Sequence, residues 1–359
     1  MSEPEQSSDS SKPGGPCEPA ASSAPSGWPN VSDPSPAPLQ SNLEEERSGS
    51  DVEEAERPLI DDVSADVAPV VEEFIAEAAQ ANLDKEAAVA AEAPTLMESA
   101  AGDQQKAVEE IAPFIAFEHV NKSFGSRVVL SDVSFYVKPG ETLCIFGRSG
   151  VGKSVSLRII LGFLKAESGT VSVAGQDIGM LSEKEIQDVR RKVTMVFQNG
   201  ALFDSISVGE NVAFPLRERG NLQEDQILQV VRGLLEMVGV AGMEDQLPSE
   251  LSTGMKRSVA IARALAAQPS AILYDEPTTM VDPLMGHLLG NLIQRLKMQL
   301  HLTSIIVTHD MRFAEKLADR LVFLDEGAVR FFGTPEEMRA SPDPVLREFF
   351  SKDELVMPV

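Results

Sequence analysis

The chain has 359 residues, and 56 acidic against 31 basic side chains give a net charge of −25. That balance argues against nucleic acid as the main partner, because a phosphate backbone demands a basic face. Two cysteines cannot supply a disulfide framework or a metal cluster, no window approaches the roughly 18 apolar residues that cross a bilayer, and the acidic, proline-rich N-terminus lacks the regions of a secretory leader; the expected location is the cytoplasm.

The charge is unevenly placed. Residues 1–112 hold 25 Asp and Glu against 5 Lys and Arg, and nine prolines and ten serines crowd the first 40 positions. With aromatic residues nearly absent, such a stretch cannot bury enough apolar surface to offset its ordering entropy. It reads as a disordered acidic tail, a tether or a regulatory arm with no part in the core, whose deletion is expected to leave folding intact. Residues 70–89, rich in Ala and Glu, read as a solvated segment with transient helicity; the alternative is a helix formed on binding a partner.

From about residue 113 the texture becomes that of an α/β domain. Residues 117–137 suggest short antiparallel strands joined at Gly125 and Ser126. An apolar run over residues 142–146 follows, in which Cys144 reads as an inert buried thiol. It leads into Gly147-Arg148-Ser149-Gly150-Val151-Gly152-Lys153-Ser154, a complete G-x-x-x-x-G-K-[ST] motif ahead of a helix-like segment over residues 154–164. In this setting the motif is a phosphate-binding P-loop. Backbone amides curl round a nucleotide's phosphates, Lys153 faces the β- and γ-phosphates, and the Ser154 hydroxyl is a ligand for Mg²⁺. ATP or GTP is the expected ligand, with one P-loop and one half-site per chain.

Further apolar runs at residues 193–197, 271–274, 304–307 and 321–324 suit a parallel sheet buried on both faces. The run over residues 271–274 ends in Asp275-Glu276. An aspartate at the carboxyl end of a parallel strand beside a P-loop can hold Mg²⁺, and the glutamate after it can orient or deprotonate the attacking water. Residues 284–300 show helical spacing in Leu288, Leu289, Leu292, Ile293, Leu296 and Leu300.

Between the P-loop and the Asp-Glu strand stands Leu251-Ser252-Thr253-Gly254-Met255, then Lys256, Arg257 and a helical run over residues 258–267. Here the chain resembles an ATP-binding cassette (ABC) ATPase, whose signature Leu-Ser-Gly-Gly-Gln opens a helix just before such a strand. The resemblance over residues 115–335 implies Phe124 as the aromatic that stacks on adenine, Gln198 as the Q-loop glutamine and a Mg²⁺ ligand, Asp282 as the D-loop aspartate and His309 as the switch histidine. It implies a P-loop NTPase fold with a RecA-like core, an antiparallel β subdomain and a helical subdomain over about residues 199–268, within an ATPase domain at 113–340 and before a short extension at 341–359. It also implies a head-to-tail homodimer, in which each ATP lies between one subunit's P-loop and the other's Ser252 to Gly254, with Glu276, His309 and Lys153 as the catalytic groups. Three departures stand out: Thr253 in place of the signature's first glycine, Thr279-Met280-Val281 before Asp282, and Arg148 where proline is frequent.

The stretch from Phe197 to Ser205, continuing from Glu210 to Glu218, resembles the ATPase subunits of Mla-type systems, which serve MCE lipid-binding proteins. Met255 and the ending Ser341-Pro342-Asp343-Pro344-Val345-Leu346-Arg347-Glu348-Phe349 are similar to that group too. The resemblance implies an ATPase on the cytoplasmic face of the inner membrane, coupled to an integral membrane permease and an MCE-domain protein in phospholipid transport. The alternatives are the ATPase of a small-solute importer, such as one for amino acids, and a non-transport ABC regulatory protein.

Overall fold

The computed structural model describes residues 57–91 and 112–348. A short 3-10 turn, Leu59–Asp62, precedes helix α1 (Ala68–Ala91). The antiparallel pair β1 (Ile115–Phe124) and β2 (Arg127–Val137) turns at Gly125 and Ser126 as the turn residues predict. Strand β3 (Thr142–Gly147) then runs into helix α2 (Lys153–Ile160), and β4 (Ser168–Val173), β5 (Gln176–Asp177), α3 (Glu183–Lys192) and β6 (Val193–Val196) follow. Three helices are inserted before the next strand: α4 (Val208–Arg219), α5 (Glu224–Met237) and α6 (Thr253–Ala266). The chain returns through β7 (Ala271–Asp275), α7 (Pro283–Leu300), β8 (Thr303–Val307), α8 (Met311–Leu317), β9 (Arg320–Asp325), β10 (Ala328–Gly333) and α9 (Pro335–Arg339).

The strands form two sheets. A six-stranded sheet has the order β10-β9-β3-β8-β7-β6, parallel except for β10 at its edge, and an antiparallel sheet has the order β2-β1-β4-β5. Along β3 the side chains alternate between two apolar cores, Cys144 and Phe146 facing one and Leu143 and Ile145 the other, as the period of two requires. The first core joins the sheet to α4–α8, and the second fills the space between the two sheets beneath α2 and α3. The α/β P-loop fold with its RecA-like sheet, antiparallel β sheet and helical insertion is therefore present. Among the described residues no helix is long and apolar enough to cross a membrane.

Residues 57–91 correct the tail reading. Far from being a solvated arm, they lie on the domain: Leu59, Val71 and Phe74 are buried in the first core, and Val67 is buried too. Val67, Val71 and Phe74 recur at the i, i+4, i+7 spacing of one helix face, a stripe hidden by the surrounding Ala and Glu. The receiving surface comes from distant sequence. Arg295 of α7 donates to Asp62 Oδ2 at 2.6 Å and to the carbonyls of Pro58 and Arg57 at 2.8 and 3.1 Å. One turn on, Gln299 accepts from the Leu59 amide at 2.7 Å and donates to the Arg57 carbonyl at 2.7 Å.

Gly233, in the middle of α5, explains the fit. A Cβ there would collide with Val71 Cγ2, so only glycine lets α1 approach so closely. A glycine inside a helix costs about 1 kcal/mol relative to alanine, and the full burial of Val71 offsets it. The remainder of the expected tail, residues 1–56 and 92–111, and the end of the C-terminal extension from 349 lie outside the described residues. Of that extension, Leu346 is buried in the first core and Asp343 pairs with Arg330 at 2.8 Å.

Candidate functional site

Three loops leave the carboxyl edge of the parallel sheet side by side, after β3, β7 and β8. Register does this: Ile145 of β3 and Asp275 of β7 both pair with Val307 of β8. The loop after β3 is the Gly147 to Lys153 segment. Gly147, Gly150 and Gly152 have φ of +145°, +81° and +109°, values that a Cβ disfavours. At Gly152 a Cβ would also lie 2.5 Å from Leu130 Cδ2 and 2.9 Å from the Val129 carbonyl oxygen. The loop is thus a backbone cradle backed by β2, and its amides open on the N-terminus of α2, where anions are favoured. Arg127 of β2 supports it with an Nη2 donation to the Gly150 carbonyl at 3.3 Å.

Lys153 folds back over this cradle and donates to the carbonyls of Gly147 at 2.9 Å and Arg148 at 3.2 Å. Its Nζ lies 3.7 Å from Glu276 Oε1. Burial pulls the ammonium's pKa down, and the charges of Glu276 and Asp275 act against that fall. Replacing Lys153 by alanine is expected to weaken ATP binding roughly tenfold or more; a fluorescent-nucleotide titration measures it, and wild-type affinity would contradict the assignment.

Ser154, the next residue, donates its hydroxyl to Asp275 Oδ1 at 2.7 Å. Two hard oxygens from two elements therefore converge beside the phosphate cradle. No cluster of three acidic, His or Cys ligands occurs among the described residues. A pair of oxygens that leaves other positions to water and phosphate suits Mg²⁺, which is seldom caged by protein alone. The residues fit that ion.

Burial raises the pKa of Asp275; the Ser154 hydroxyl opposes the rise and the neighbouring Glu276 charge adds to it. A carboxylate whose folded pKa is raised penalises the folded state at pH values above that pKa, and the penalty disappears as pH falls below the unfolded value. Asp275→Asn should therefore raise the melting temperature of the nucleotide-free protein near neutral pH while removing the Mg²⁺ dependence of nucleotide binding. A lower melting temperature would show that the carboxylate is stabilising instead.

Glu276 follows at the strand end with φ +50°, a left-handed backbone unusual for a residue with a side chain. Strain of this kind persists where its surroundings hold it. Here the Glu276 amide donates to the Val307 carbonyl at 2.8 Å, Thr279 Oγ1 donates to Oε2 at 3.2 Å, and His309 Nδ1 lies 2.6 Å from the same oxygen. His309 stands 60% exposed over a carboxylate that is only 14% exposed. A half-hidden carboxylate held by a histidine and a hydroxyl, next to a phosphate cradle, can accept a proton from water.

The other expected residues divide. Phe124 projects 48% exposed from the end of β1, with the Lys122 ammonium 5.3 Å from its ring centroid, so a face is available for stacking. Gln198 is exposed just past β6, and no hydrogen bond ties it to Ser154 or Asp275 among the described residues. Ser252 caps α6, its Oγ accepting from the Met255 amide at 3.2 Å, and Gly254 is buried against Met285. Neither is linked by hydrogen bond or ion pair to Lys153, Asp275 or Glu276 within the described chain. Asp282 caps α7 through the Met285 amide at 2.9 Å, with Pro283 at the first helical position.

The roles of Thr279, Arg127 and Arg257 were not legible in the sequence. Arg257, buried in α6, donates to the Phe197 carbonyl at 2.9 Å and the Thr279 carbonyl at 3.2 Å. It ties the helix that starts at Ser252 to the residue before Gln198 and to the loop holding Glu276. Its place after Lys256 looks like an exposed basic pair, and only the tertiary structure shows it turned inward.

The ABC transporter family profile matches residues 130–279. The intermembrane phospholipid transport system ATP-binding protein MlaF of Haemophilus influenzae is 43% identical over 219 residues, which is 61% of this chain and 83% of that protein. The chloroplastic protein TRIGALACTOSYLDIACYLGLYCEROL 3 of Arabidopsis thaliana is 39% identical over 251 residues, covering 64% of this chain and 71% of that one. Among solved structures, the dimeric post-hydrolysis state of the ATP-binding cassette MJ0796 with ADP and Pi aligns with a TM-score of 0.58 at 31% identity, over 61% of this chain and 98% of that one.

Proposed function

This chain belongs to the ABC transporter family of ATP-binding proteins, and from that premise we propose that it is the ATPase that drives phospholipid movement through a membrane permease served by an MCE-type lipid-binding protein. That it binds and hydrolyses ATP follows from the family. The lipid cargo rests on one observation, the 43% identity with a phospholipid-transport ATP-binding protein over most of that protein's length. An exposed aromatic pair is in keeping with a docked permease: Phe203 and Phe214 stand 5.4 Å apart at 47% and 46% exposure, and the Arg263 guanidinium lies 5.8 Å from the Phe203 ring.

In this reading the amides from Gly147 to Gly152 and the Lys153 ammonium grip the phosphates, and Phe124 stacks on the base. Ser154 and Asp275, with Gln198, would hold Mg²⁺, which would supply charge neutralisation at the nucleotide's phosphates. Glu276 takes a proton from the attacking water, and His309 steadies that carboxylate and faces the γ-phosphate. Ser252 and Gly254 lie at the start of α6, on a separate element from the cradle. They serve the nucleotide of a second copy in a homodimer, with Asp282 near the seam, where a helix N-terminus favours phosphate.

The reading is tested by solubilising membranes from cells expressing a tagged chain. A permease and an MCE-domain protein are expected to co-purify, and the assembly should move labelled phospholipid between vesicles only when ATP is supplied. Co-purification with an amino-acid permease and a soluble solute receptor would replace the lipid reading with the small-solute one. An inactive assembly containing the permease would favour a regulatory protein, with Thr253 the first residue to examine.

A further inference from the structure

The three-helix insertion α4–α6 meets the parallel sheet through two stretches of chain, after β6 and between α6 and β7. The second is only residues 267–270, and in it Gln268 has φ +48°. A short joint with one left-handed residue is a natural place for the insertion to pivot. Helix α1 lies along this joint. Gln268 Nε2 donates to the Phe74 carbonyl at 3.0 Å, and Lys85 Nζ donates to Ser270 Oγ at 2.7 Å.

The same N-terminal segment grips both sides of the joint. On the insertion, Val71 seats on Gly233, Asp66 pairs with Arg232 at 3.2 Å, and Ser64 donates its amide and hydroxyl to Glu236 at 2.6 and 3.0 Å. On the sheet side, Asn82 Nδ2 donates to the Leu300 carbonyl at 2.9 Å, and Arg295 and Gln299 hold residues 57–62. A segment that satisfies both sets of contacts in one relative orientation favours that orientation by its own docking free energy. Gly233 argues that the contact is built in: the three atoms nearest its missing Cβ all belong to Val71.

We propose that residues 57–91 are a splint across the pivot between the helical insertion and the sheet, and that they set the angle at which Ser252 to Gly254 are presented to a second copy. The splint is independent of what the assembly transports.

The test uses the full chain with Cys17→Ser, Gln229→Cys on α5 and Lys184→Cys on α3; both labelling sites are exposed and the remaining Cys144 is buried. Gly233→Leu and Val71→Asp attack the same contact from opposite sides. Hydrogen exchange reports whether α1 is docked, and pulsed electron spin resonance between the labels reports the spread of orientations. Both variants should lose amide protection over residues 68–85 and widen the distance distribution, while protection inside α6 and ATP affinity persist. Undocking without widening would make the segment a passenger. Retained protection in both variants would show that the Val71–Gly233 contact does not hold it; either outcome overturns the proposal.

Discussion

Glu276→Gln should bind Mg·ATP like the wild type and hydrolyse it roughly 10²–10⁴-fold more slowly, the range for loss of a general base. The substitution keeps shape and hydrogen bonding: an amide oxygen still accepts from Thr279 Oγ1 and can still meet His309 Nδ1, the two groups that hold the carboxylate at 3.2 and 2.6 Å. What vanishes is the basic lone pair and the negative charge 3.7 Å from Lys153. Losing that charge leaves one anion fewer to repel nucleotide phosphate, so affinity should hold or improve. The variant should accumulate as an ATP-loaded dimer in size-exclusion chromatography with light scattering. Single-turnover hydrolysis at the wild-type rate would remove Glu276 from the proton transfer.

His309→Gln separates two roles within that arrangement. If His309 acts by holding Glu276 in its strained φ +50° conformation, a glutamine that can still donate preserves part of the rate. An alanine there loses more.

What could be read from the chain follows how local each feature is. The phosphate cradle is contiguous, its glycines are required by backbone angles, and strand and helix flank it, so Gly147 to Ser154 are legible without a fold. Asp275 and Glu276 were legible as strand-end residues and His309 through the family resemblance, and parallel pairing with β8 as the common neighbour brings their loops together. Arg127, Arg257 and Thr279 were not, because each acts through a carbonyl or carboxylate far away in sequence or in a turn whose shape depends on the sheet. Asp282 shows the reverse: its capping of α7 is visible from Asp-Pro alone. The N-terminal segment was misread because composition averages over residues. Acidic and alanine-rich surroundings diluted four apolar side chains, and the glycine that receives Val71 lies 162 positions away from it.

Removing residues 1–91 should therefore destabilise the remaining domain, contrary to what the composition of the tail suggests. The cut strips Leu59, Val71 and Phe74 from the first core, exposes Leu234, Leu265 and Leu300 along the groove, and leaves Arg295, now 9% exposed as a side chain, without Asp62. An apolar groove opened to water costs about 25 cal/mol per Å² of apolar surface exposed, and a buried guanidinium without its carboxylate adds a penalty unless it swings outward. Because the docked segment stabilises only the folded domain, its removal subtracts the full docking free energy. For a domain of this size each kcal/mol lost lowers the melting temperature by roughly 2–4 °C. A fall of several degrees with increased binding of an apolar dye is expected, whereas removing residues 1–56 alone leaves every contact described for Leu59, Val71 and Arg295 in place and should leave the melting temperature unchanged. Equal melting temperatures for all three proteins would mean that docking contributes nothing net, since the entropy of ordering α1 would then cancel the burial of its apolar stripe.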